Sequence, residues 1–185
     1  MNRDEPAFVR NNRRSEMHTR LEALIGEWAV ERTIFFAVAT PERPLAVAGM
    51  TIHCAWLAES GDRYLRHEVR GELGGQPYYR LGILGYSTMD ERYEFNTTDS
   101  VNNNMMSYRG ARGEARPDWR EISLTGEFTD PGVLSDATAG QTLGQRTVIS
   151  FVGPDRYVME MYVTPPGLPE QLADRMVCTR AKAAT

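Results

Sequence analysis

Apolar positions along this chain change period once, at Gly26. Before it, Met17, Leu21, Leu24 and Ile25 recur at helical spacing, with Ser15 as a candidate N-cap and the glycine as the stop. After it the period is two: Trp28, Val30, Ile34 and Phe36 alternate with Glu27, Glu31 and Thr33, and Arg32 falls on the apolar face. The pattern predicts one short amphipathic helix running into a strand. The apolar stripe of that helix must be buried, and closing one end of whatever the strands build is its simplest use.

Nine further strand candidates follow, at 47–57, 63–71, 78–86, 93–97, 101–108, 119–127, 145–152, 156–163 and 172–182. Turn chemistry separates almost every pair, as in Glu59-Ser60-Gly61-Asp62, Gly74-Gly75-Gln76-Pro77 and Gly153-Pro154-Asp155. There is no βαβ rhythm, so the fold class is all-β. Short turns make neighbours in sequence neighbours in space, and closure removes exposed edges. Together these favour a single up-and-down antiparallel β-barrel of about ten strands over a sandwich such as a jelly roll. Residues 1–14 are polar and aperiodic and read as a flexible tail, leaving 15–185 as one domain. A barrel of this size leaves room inside for a small ligand, so its interior is the default site.

Composition narrows the partners. A net charge of -4 gives no general attraction to nucleic acid. No apolar run is long enough to cross a bilayer and the N-terminus lacks the apolar core of an export signal, which points to the cytoplasm with no membrane insertion. Cys54 and Cys178 sit in apolar runs and read as reduced buried thiols, with a disulfide as the alternative.

The chemistry-bearing residues are sparse. His18, His53 and His67 show no metal-ligand spacing, so no metal site is expected. No nucleophile elbow, phosphate-cradling loop or paired carboxylates stand out, and no catalytic residue is assigned. Arg32 on an inward face needs a carboxylate, a ligand anion or water, unless a bulge turns it outward. Asn102, Asn103, Asn104, Met105 and Met106 place amides and thioethers in one candidate strand, where they serve either a polar ligand or a distorted edge. The residues expected to face a ligand are Arg32, His67, Tyr79, Asp99, Asn103, Met105 and Met161, although Tyr79 and Met161 serve equally as plain core.

The segment from His18 through Leu21, Leu24 and Gly26 to Trp28 resembles the H-x-x-L-x-x-L-x-G-x-W opening of a bacterial family, domain-of-unknown-function family 1579. Gly82-Ile83-Leu84-Gly85-Tyr86, Tyr93, Asp99-Ser100, Gly126 to Pro131, Glu160-Met161-Tyr162 and Thr179-Arg180 continue the likeness in order. The resemblance implies a calycin-like barrel, related to lipocalins and fatty-acid-binding proteins, in which Trp28 packs under Arg180 to close the barrel. Some calycin-like barrels hold haem, which makes His67 a candidate ligand, against the simpler reading of a hydrogen-bonded inward histidine. The chain departs from the family pattern at Ser87, Thr97 and Cys178, so no ligand carries over.

The expected function is binding of a small, mostly hydrophobic molecule in the barrel. The alternatives are an enzyme using the same cavity with Asp99 or His67 as general base, and a dimeric structural barrel with a filled lumen.

Overall fold

Ten antiparallel strands close into one cylinder in a computed structural model, which describes residues 5–36, 39–116, 118, 120–132 and 134–182. The strands are β1 (Gly26–Ile34), β2 (Leu45–Trp56), β3 (Tyr64–Leu73), β4 (Gln76–Ser87), β5 (Arg92–Asp99), β6 (Met106–Arg109), β7 (Glu121–Thr129), β8 (Thr142–Gly153), β9 (Arg156–Thr164) and β10 (Gln171–Arg180). Each pairs with the next, and β1 pairs with β10 from Trp28↔Arg180 to Ile34↔Asp174. The meander therefore closes on itself, as an up-and-down barrel and not as two stacked sheets.

Helix α2 (Glu16–Arg20) runs into a single 3-10 turn, Leu21–Leu24. Ser15 caps α2 through a reciprocal pair with His18, whose Nδ1 lies 3.0 Å from both the Ser15 backbone N and Oγ. Leu21 and Leu24 are fully buried, and the Trp28 indole N–H donates to the Leu24 carbonyl at 2.8 Å. The helical turn thus plugs one end of the cylinder. Upstream, where a tail was expected, Ala7–Asn11 forms a further short helix, α1, which is tied to the barrel: Arg63 Nη1 donates to Asn12 Oδ1 at 3.1 Å and Thr88 Oγ1 donates to the Asn11 carbonyl. The first four residues of that stretch lie outside the described residues, as does Trp119 at the start of the expected seventh strand.

One strand is much shorter than the pattern implied. The expected run 101–108 begins pairing only at Met106, because the asparagines build a turn: Asp99 Oδ1 accepts from the Val101 and Asn102 N–H groups at 2.9 and 2.7 Å, and Asn102 Oδ1 accepts from Asn104 N–H at 3.1 Å. Cys54 and Cys178 are buried free thiols, and burial pushes both pKa values up to about 12. Among the described residues, no helix is long and apolar enough to cross a membrane.

Candidate functional site

The lumen divides into a packed half and an open half. At the end closed by the helical turn, Trp28 meets Tyr157 edge-on at 4.7 Å between ring centroids, amid Ile52, Leu65, Leu84, Phe95, Leu124 and Ile149, all essentially without solvent exposure. The Arg180 guanidinium lies 4.2 Å over the Trp28 ring and donates to the Ile25 and Pro154 carbonyls at 2.8 and 3.0 Å and to Asp155 at 2.9 Å. Gly26 permits this: its φ is +127°, and a Cβ there would stand 2.7 Å from Arg180 Nη1. One arginine therefore ties the helical turn, the β8–β9 hairpin and the β1–β10 seam together.

His67 belongs to the packed half. Its ring is fully buried, edge-on to Phe95, with Nε2 3.4 Å from Tyr157 Oη. Burial, helped by the Arg80 charge, holds its pKa down at about 3, so the ring is neutral. It lines neither lumen cavity. A haem does not fit at this histidine, because Phe95 and Tyr157 occupy the space against the ring.

The open half contains two adjoining cavities of about 20 and 70 Å³, sharing Arg80, Tyr108, Met161 and Asp174 in their walls. Since one water needs roughly 10–15 Å³, the inner cavity has room for about one and the outer one for several. Most of the lumen is therefore filled by side chains, contrary to the roomy interior expected of ten strands. Met159, Met161 and Met176 line the inner cavity beside Phe95, while Met106 joins Phe36, Phe128, Leu134 and Val163 towards the mouth. Asp130 shapes that mouth. Fully buried, it accepts from Gly132 N–H at 3.0 Å and Thr138 Oγ1 at 2.7 Å, folding the loop that brings Leu134 to the outer cavity.

Two arginines share this space in different states. Arg32, 6% exposed, donates through Nε to both Asp174 oxygens at 3.1 and 2.9 Å and through Nη2 to Oδ2 at 2.5 Å. Burial opposes its charge, but the Asp174 carboxylate outweighs that and raises its pKa. Its guanidinium also lies 4.8 Å from the Tyr78 ring centroid. Arg80 is half-buried and, among the described residues, donates to thioethers only: Nη2 lies 3.4 Å from Met159 Sδ and 3.8 Å from Met176 Sδ, and its buried Nε has no partner. Arg32 Nη1 and the Thr97 hydroxyl are likewise buried without a partner. Tyr108 Oη donates to Gln145 Oε1 at 2.8 Å, and burial pushes the Tyr108 pKa up to about 12.

Of the residues singled out in the sequence, Arg32, Asp99 and Met161 line the outer cavity. Tyr79, Asn103 and Met105 do not. Tyr79 stands on the outer face, its hydroxyl donating to Glu68 at 2.8 Å and Arg70 lying 4.7 Å over its ring, while Tyr78 points inward. Asn103 is exposed and Met105 is 76% exposed, whereas Asn102 and Met106 line the cavity. Each is displaced by one position, which in a strand changes the face. In β4 the outward Tyr79, Leu81 and Ile83 are more apolar than the inward Arg80 and Gly82, so the pattern favoured the wrong face. The position is glycine because a Cβ there would stand 2.5 Å from the Phe95 ring. In the 101–106 stretch the asparagine turn resets the phase.

Sequence reasoning missed Arg80, Thr97, Tyr108, Gln145 and Asp174. Asp174 had a signal: it falls in phase with Met176 and Cys178, on the strand that closure sets beside Arg32. Among the described residues, no three His, Cys, Asp or Glu side chains come together as a metal site.

No curated protein matches the chain. Among the solved structures that share the fold are the following two. An S-type phycobiliprotein lyase, CPES, from Guillardia theta is 13% identical, with a TM-score of 0.52 over 97% of this chain and 100% of that one. Rv2717c from M. tuberculosis is 18% identical, with a TM-score of 0.54 over 88% of this chain and 98% of that one. At these identities the likeness is one of fold alone. Residues 13–180 match the model of a family described as Protein of unknown function (DUF1579), and the chain belongs to that family.

Proposed function

We propose that this protein binds one small, mostly hydrophobic molecule in the open half of its barrel. The observation that carries the reading is the asymmetry of the lumen: one half is filled by fully buried side chains, while the other keeps two adjoining cavities lined in part by methionine. Methionine side chains reshape around a guest at little cost, so the resting volume is a lower bound on what the site accepts. The few polar groups among them fix orientation, as in ligand pockets generally.

Titration calorimetry with octanol tests this directly. Saturable uptake, abolished by Met161→Trp in a protein that melts like the wild type, is the expected result. An absence of saturable uptake by the folded wild-type protein overturns the reading in favour of a structural barrel. A catalytic reading based on His67 draws no support from a neutral ring walled off from the cavity.

A further inference from the structure

Arg80 is the inward cation that the protein leaves unanswered. An arginine carries five N–H donors; Arg80 is half-buried, and its buried Nε has no hydrogen-bond partner, a donor taken from water without an acceptor. Here the acceptors in contact are two thioether sulfurs, at 3.4 and 3.8 Å, and thioethers are weak acceptors. Two carboxylates line the same space, and Asp99 stands directly opposite Arg80 in the β4–β5 register. Asp174 is held by Arg32 through three hydrogen bonds, and Asp99 Oδ1 accepts two backbone N–H groups in the turn after β5. Among the described residues, no carboxylate forms an ion pair with Arg80.

A second observation points to the same place. Thr97, 3% exposed, lines the inner cavity with Arg80, and its hydroxyl has the Tyr108 hydroxyl nearby but no hydrogen bond of normal geometry. On the outer side, Arg32 Nη1 is a further buried donor left over after Asp174 is satisfied. Donors on both sides of one small space, with apolar methionine around them, match an anionic oxygen group attached to a hydrocarbon body.

We infer that the ligand of the open half is an apolar carboxylate, its head group received by Arg80 with the Thr97 hydroxyl as a second donor and its tail against Met106, Met161 and Phe128. This rests on the binding function proposed above and adds the charge of the guest. Arginine suits the task because its planar fork presents two parallel donors to a carboxylate.

Calorimetric titration of the full chain at neutral pH with octanoate, octanol and octylammonium tests it, since the three share a tail and differ in the head. Octanoate is expected to bind about tenfold or more tighter than octanol, the worth of one charge-assisted hydrogen bond. Arg80→Met should remove that preference, bringing the ratio of octanoate to octanol affinity within the same variant to about one, and Thr97→Val should lower that ratio by a few-fold. Equal binding of acid and alcohol to the wild type overturns the inference and leaves the neutral-ligand reading standing, with water satisfying Arg80. Tighter binding of octylammonium also overturns it. If none of the three saturates, both readings fail. Should Arg80→Met not fold, the wild-type acid and alcohol affinities together with Thr97→Val decide the matter.

Discussion

The closed and open halves of the lumen are filled by different chemistry. The closed half uses aromatic rings and branched aliphatics, stapled by Arg180 to a helical turn; the open half uses unbranched methionines among arginine, aspartate, threonine and glutamine. The resemblance to the family is densest at the closed half. His18 meets Tyr86 edge-on at 5.8 Å, Tyr93 Oη donates to the Met17 carbonyl at 3.0 Å, and Trp28 lies beneath Arg180. Thr97, a departure from the pattern, lines the inner cavity.

If the division is real, substitutions in the closed half move stability and leave ligand affinity alone. The largest expected effect is at Trp28→Ala, which should lose about 3–5 kcal/mol in denaturant unfolding because a buried aromatic leaves a void. A loss below about 1 kcal/mol would mean that the closed end is not a packed core. The Arg32–Asp174 pair comes next. Asp174→Ala should lose roughly 3 kcal/mol by stranding a buried guanidinium, whereas the double variant Arg32→Met with Asp174→Leu should recover most of that loss. If the double variant is as unstable as the single, the damage comes from altered packing and not from the uncompensated charge.

A pH effect, which stands apart from this ranking because its size depends on how far the pH is lowered, follows from His67. Its native pKa of about 3 lies below the ordinary 6.5, so above pH 6.5 both folded and unfolded imidazoles are neutral and its contribution is fully present. As the pH falls from 6.5 towards 3, the unfolded chain takes up a proton that the native ring refuses, and stability is lost at up to roughly 1.4 kcal/mol per pH unit. His67→Gln should flatten the stability curve across this window. His18, whose pKa burial also lowers, titrates in the same sense and preserves part of the slope. The smallest effect is expected at Arg80→Met, within about 1 kcal/mol of wild type in unfolding, since removing a charge that has no ionic partner costs little. A loss as large as that at Asp174 would place Arg80 among the structural charges and erase the contrast between the two arginines.

The cylinder was legible from the sequence because period-two patterning and turn residues recur along the whole chain and closure follows from strand number. The site was legible only where one face of a strand is plainly polar, as around Arg32. On β4 both faces carry apolar side chains, and the inward one contains Arg80 and Gly82, so periodicity alone chose Tyr79 over Tyr78. In the asparagine run the phase was set by an Asx turn three residues earlier, which hydrophobic patterning does not register. The filling of the lumen was hidden as well, since it depends on side chains meeting across the barrel from strands far apart in sequence.

The shortness of β6 bears on how a guest reaches the interior. Its seams hold four residue pairs with β5 and three with β7, fewer than any other adjoining strands among the described residues. Ladders with the fewest rungs part first, so the side of the cylinder should breathe there before it yields anywhere else in the wall. Met106, a cavity-lining side chain, stands on that strand and Asn102 just ahead of it. The weakest stretch of wall is thus also the one with open space directly behind it.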